Sequence, residues 1–200
     1  MKFKIDMLID FIVRSYSKRN LWVLFIGTCS CALTLAVAAL FVGVGQKMEE
    51  GNTRIQLLDA MFNYTPQMAY AQIEAYGVSG RTICVFSTLI LDSLFPLLYG
   101  AFMSLILVFL FRATKYRMLI LLPLVVILVD YIENTHIAFL LISFPKQLPM
   151  VVYSSNIATL TKWVLIGLVF MSISFGFFLR NRKNFLLEVE RRRADFYEKD

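Results

Sequence analysis

The sequence predicts an all-α fold, an integral membrane bundle of four transmembrane helices with an N-terminal amphipathic helix, a short outer interfacial helix and a charged C-terminal helix. Three observations predict it. The chain of 200 residues is 58% hydrophobic and 17% charged, with a mean hydropathy of +0.68; a core that small leaves too much apolar surface in water. Its apolar residues fall into runs long enough to cross about 30 Å of hydrocarbon. Its Lys and Arg gather at the ends of those runs. The net charge of +6 therefore reads as a topology signal, and nucleic acid is not expected as a partner.

Residues 1–20 place Ile5, Leu8, Ile9 and Ile12 at helical spacing against Lys2, Lys4, Asp6, Asp10 and Arg14, the pattern of a helix lying on a bilayer surface. The first span, 21–44, is too long for a signal-peptide core. Within it Ser30, Thr34 and Ala38 form a small-residue stripe suited to close packing against another helix. The outer segment, 47–81, holds Asn63-Tyr-Thr-Pro66; Thr65 before a proline is a helix start, so a short helix is expected over 66–76. Gly77 caps that helix, and Ala69, Tyr70, Ile73 and Tyr76 face the membrane or the bundle. Asn63 is formally a glycosylation acceptor, discounted because of the proline.

The second, third and fourth spans are expected over 82–111, 118–144 and 158–179, followed by a charged tail, 180–200, in which Glu188 and Arg192 sit one helical turn apart. Basic residues precede span one (Arg14, Lys18, Arg19), fill the loop after span two (Arg112, Lys115, Arg117) and follow span four (Arg180, Arg182, Lys183). All lie on one side, which predicts a multi-pass inner-membrane protein with both termini cytoplasmic. Trp22 and Trp163 fit aromatic belts at opposite faces. No repeat or linker interrupts the chain, so 1–200 reads as a single membrane domain.

Several residues are costly at membrane depth: Asp92 in span two, Asp130, Glu133, Asn134 and His136 in span three, and Lys162 in span four. They must face one another or water. At 1.5 Å per residue, Asp92 and Glu133 lie at similar depth, about 15 Å from the outer surface. Asp92, Pro96 and Tyr99 share one face of span two, where the proline frees a backbone carbonyl; Asp130, Glu133 and Asn134 share one face of span three. The expected result is a polar cavity in the outer half of the bundle, lined by Asp92, Tyr99, Asp130, Glu133, Asn134 and Lys162, with Arg81 and Glu74 over its mouth.

Such a cavity suits an ion, a proton or a polar lipid or small-molecule group. If Lys162 or Arg81 neutralises the carboxylates, the same residues form a polar core that sets helix register, and the chain is then a structural or accessory subunit of a membrane complex. A membrane-embedded hydrolase is a third reading, for which no nucleophile elbow or paired base is visible. Glu133-x-x-His136 has the spacing of half a di-iron site, but the chain has one histidine, rotated partly off the Asp130 and Glu133 face. Metal held by His136 with Glu133, Asp130 and Asp92 is thus disfavoured, and no metal or cofactor is expected. Asp92 and Asp130 also lack the Gly-x-Gly-Asp context of intramembrane aspartyl proteases. Cys29, Cys31 and Cys84 read as small packing residues. Expected partners are the lipid bilayer and membrane proteins or further copies of the chain.

Tyr76-Gly-Val-Ser-Gly-Arg81, Asp92-Ser-Leu-Phe-Pro96-Leu-Leu-Tyr-Gly100 and Asp130-Tyr-Ile-Glu-Asn134, in that order, resemble blocks of a group of small prokaryotic four-span membrane proteins. The resemblance covers roughly residues 64–165. It implies a shared polar site and brings no activity with it.

Overall fold

A computed structural model describes residues 2–48 and 54–197, with side chains over 4–48 and 54–182. Seven α-helices follow in order: α1 (Lys2–Arg14), α2 (Lys18–Val42), α3 (Pro66–Ala75), α4 (Gly77–Phe86), α5 (Asp92–Phe111), α6 (Leu122–Ser143) and α7 (Pro149–Tyr197). Four helical stretches are long and apolar enough to cross a membrane: Lys18–Val42, Gly77–Phe111, Arg117–Ser143 and Pro149–Arg182. The chain is an all-α, multi-pass membrane protein.

The amphipathic helix is shorter than the expected 1–20. Ser15 turns back on α1, its hydroxyl donating to Phe11 O at 3.0 Å. Ser17 then caps α2 by accepting from Asn20 N at 3.0 Å. Ile9 is fully buried and Ile5 and Ile12 pack with it against α5, while Leu8 stays exposed. Asp10 meets Arg117 of the loop before α6 at 2.7 Å, Arg112 lies over the Tyr16 ring, and Arg180 over the Phe109 ring. The basic residues expected on one side thus gather at one end of the bundle, called here the basic end.

At the opposite end the segment between α2 and α4 is a packed cap. Buried Gln72 accepts from Gln56 N at 2.9 Å and donates to Arg54 O at 3.2 Å; Tyr76 donates to Gln56 O at 2.6 Å. Pro66 starts α3, with Thr65 accepting from Met68 N. Ala69, Tyr70, Ile73 and Tyr76 are all buried against the bundle.

Three boundaries differ from expectation. Gly77, with φ +65°, does end the outer helix, but it redirects the chain at once into α4, so 77–80 is the first turn of the second span and not a loop. The fourth span begins at Pro149, nine residues before 158, because Ser155 and Asn156 are buried against the bundle and not at its surface. The tail is a continuation of α7; the Glu188 and Arg192 pairing lies outside the described side chains. The stripe also differs: Ser30 and Thr34 point away from the bundle, and α2 packs instead through Gly27, beside Leu98, and Cys31, beside Leu91.

Candidate functional site

The second span carries two irregularities where the polar residues lie. Residues 87–91 form a π-helical turn, the kind of local widening that re-aims side chains and leaves backbone groups for other partners. Pro96 follows within α5 and removes the N–H that would bond the carbonyl four residues back. That carbonyl, Asp92 O, accepts from Asn134 Nδ2 at 2.9 Å. The next, Ser93 O, accepts from the Tyr131 hydroxyl at 2.5 Å, and Leu91 O from the Cys31 thiol at 3.7 Å. Three consecutive carbonyls of the interrupted helix are therefore satisfied by α2 and α6. These bonds set the register of the spans and place Asp92 level with Asn134.

On α6 the expected face turns inward: Asp130, Glu133 and Asn134 are buried, Glu133 completely. Facing it is a polar face of α7 formed by Ser155, Thr159 and Lys162 at spacings of four and three. Lys162 Nζ forms a close ion pair with Glu133 Oε2 and lies 3.6 Å from Asp130 Oδ1. Thr159 donates to Glu133 Oε1 at 2.6 Å, Tyr99 to Asp130 Oδ2 at 2.5 Å, and Tyr64 of the cap to Ser155 Oγ at 3.0 Å. An ammonium held between two carboxylates whose other oxygens also take hydrogen bonds is a closed buried network.

Asp92 stands outside that network. Its carboxylate makes no hydrogen bond or ion pair among the described residues. It lines a cavity of about 320 Å³ whose wall also includes Tyr99, Asp130, Asn134 and Lys162. Five of the residues expected to line the cavity thus border it, and Glu133 lies just behind them, bonded to Lys162 and Thr159. Arg81 and Glu74 do not border it. Arg81 donates to Ile73 O at 3.3 Å and sits over the Phe144 ring at 4.5 Å, and Glu74 is exposed on α3; both follow from Gly77 starting a spanning helix where a loop over the mouth was expected. His136 turns back onto its own helix, Nδ1 at 2.7 Å from Ile132 O. Among the described residues no group of three or more His, Cys, Asp or Glu is placed to hold a metal.

One carboxylate escaped the sequence reading. Asp59, in the short 3-10 turn Leu58–Ala60 of the cap, closes one end of the cavity, its backbone carbonyl accepting from Trp163 Nε1 at 3.3 Å. The signal was present, since Asp59 is a lone charge among Leu57, Leu58, Ala60 and Met61. Burial pushes its carboxyl above the ordinary 3.8; the Lys162 ammonium opposes this and the Asp130 charge adds to it. A folded pKa that is raised means stability present below 3.8 and lost as pH rises through the folded value. Hydrogen exchange over residues 55–61 is therefore expected to quicken as pH rises through that window, beyond the intrinsic rate, and Asp59→Asn to abolish the excess. An unchanged excess in the variant would place its cause elsewhere.

Comparison of the chain with family models, with curated proteins and with solved structures returns no match.

Proposed function

We propose that this membrane protein binds, in the cavity walled by α2, α5, α6 and α7, the positively charged or hydrogen-bond-donating group of a ligand, with Asp92 as the counter-charge. One observation carries the reading: the Asp92 carboxylate faces the cavity with no partner, while the nearby ammonium of Lys162 is already shared by Asp130 and Glu133. An unpaired carboxylate within a membrane is costly and marks a site that a cation or donor completes. Under the positive-inside rule the basic end faces the cytoplasm, so the cavity lies in the outer half of the membrane. The carboxylates of Asp130 and Glu133 act in this reading as the frame that holds Lys162 and Tyr99 in place.

The test is Asp92→Asn in nanodiscs, with thermal stabilisation by a panel of inorganic cations and organic amines as readout. The variant is expected to fold like the parent and to lose affinity about tenfold or more for whichever cation stabilises the parent. Stabilisation that survives Asp92→Asn unchanged would remove Asp92 from the site. The rival reading, an accessory subunit with a purely structural polar core, is favoured by the closed Lys162 network; it predicts no ligand effect and stoichiometric partners on purification in mild detergent.

A further inference from the structure

Among the described residues the cavity's two flanking helices form no extended interface with each other. Helix α2 packs on α4 and α5, and α7 packs on α6, α5 and α3, yet both contribute wall to the same space. A cavity bordered by neighbouring helices that do not close on one another opens sideways, into lipid. The residues at that seam are apolar and partly exposed: Ala32, Leu35, Ala38 and Ala39 of α2, and Ile166 of α7. Small side chains along α2 leave a groove there that alkyl chain can fill without displacing polar groups.

The inner end of the same space is chemically different. Thr88, only 8% exposed, borders it from the π-helical turn, and its hydroxyl makes no hydrogen bond among the described residues. It lies four residues before Asp92, whose carboxylate is also unpartnered. A buried hydroxyl without a partner costs free energy until something supplies one. A carboxylate and a hydroxyl on the wall of one cavity suit a primary ammonium, which carries one charge and donates up to three hydrogen bonds. A bare divalent cation takes about six or more oxygens, and among the described residues no group of three or more His, Cys, Asp or Glu is placed to hold one.

The geometry points to a single-chain amphiphile with an amine head as the ligand, its ammonium on Asp92 and Thr88 and its chain leaving through the seam between α2 and α7. This rests on the cavity reading above and adds the ligand's class and its route. A space of about 320 Å³ is at the small end of ligand pockets, so it holds the head and the first part of the chain while the remainder stays in the bilayer.

The experiment uses the full chain in phosphatidylcholine nanodiscs. Its probe is an alkylamine bearing a diazirine on the chain, with crosslinks mapped by mass spectrometry and competition by dodecylamine and by methylamine. The expected crosslinks fall on seam residues of α2 and α7, and dodecylamine competes at about a tenfold or greater dilution relative to methylamine. Asp92→Asn is expected to lower labelling about tenfold. Ala38→Phe, which fills the groove, lowers alkylamine labelling similarly but reduces stabilisation by methylamine less than Asp92→Asn does, and Ala36→Phe, on the exposed side of α2, changes neither. Should Ala38→Phe fail to fold, Ile166→Trp fills the seam from the α7 side.

Equal potency of the two competitors, with no effect of filling the groove, would overturn the amphiphile while leaving a cation site at Asp92. Labelling scattered over all lipid-facing helices and indifferent to Asp92→Asn, with no stabilisation by either amine, would sink both the ligand class and the site.

Discussion

Lys162→Met is expected to destabilise the folded bundle by about 3–5 kcal/mol, because it strands two buried carboxylates that share one ammonium. Methionine keeps most of the side-chain length, so the loss reports charge more than volume. Glu133 is fully buried and Asp130 6% exposed; neither can recover its lost partner from water. Thr159 and Tyr99 would still bond one oxygen of each, which is why the loss should stay near the range for breaking a buried pair and not exceed it. Unfolding by titrated SDS, followed by circular dichroism, measures the effect. The triple variant with Asp130→Asn and Glu133→Gln should recover much of it, since replacing all members of a buried ionic set by neutral groups is far cheaper than removing one. A Lys162→Met protein as stable as the parent, or a triple variant no better than the single, would mean the ion pairs do not hold α6 to α7.

Gly176→Val is expected to cost about 1–3 kcal/mol by overpacking at the basic end. A Cβ at Gly176 would stand 2.8 Å from Leu110 Cδ1, 2.9 Å from Leu110 Cβ and 2.9 Å from Phe111 Cζ. The Leu110 Cβ is anchored to the α5 backbone and Phe111 is fully buried, so neither can swing aside and the helices themselves must separate. Small residues at such crossings are how membrane helices approach closely when lipid is as apolar as the side chains. Gly176→Ala should cost less, because alanine returns up to about 1 kcal/mol of helix propensity. Gly167 is the control on the same helix: nothing lies within 4 Å of where its Cβ would be, and Gly167→Val should be close to neutral. Equal stability of the Gly176 and Gly167 variants in the same SDS titration would exclude a tight crossing of α5 and α7.

The spans were legible because lipid imposes length and apolarity on each helix separately. The inward faces of α5 and α6 were legible because helical periodicity alone groups Asp92, Pro96 and Tyr99, and Asp130, Glu133 and Asn134. The carbonyl freed by Pro96 could be named in advance, since the missing N–H is a covalent fact. Its acceptance of Asn134 could not, because that depends on the vertical offset of two helices. Arg81 was misplaced for a local reason: Gly77 and Gly80 look like a turn in sequence, and only the packing of α4 on α2 and α6 makes them the start of a span. Ser155 was passed over because the fourth span was expected to begin at 158, and Thr159 because a threonine inside an apolar run can bond its own helix and demands no partner until one is seen.

The sequence by itself determined the class of the protein, its spanning helices and which faces of the second and third spans carry polar groups, because hydrophobic length and the 3.6-residue period act within one helix. Only the tertiary structure decided which carboxylates share Lys162, that Asp92 is left beside a cavity without a partner, and that α2 and α7 flank it without an extended interface. Those outcomes depend on the relative rotation and depth of separate helices, set by contacts between residues as distant in the chain as Cys31 and Leu91 or Asp92 and Asn134, which no local pattern encodes.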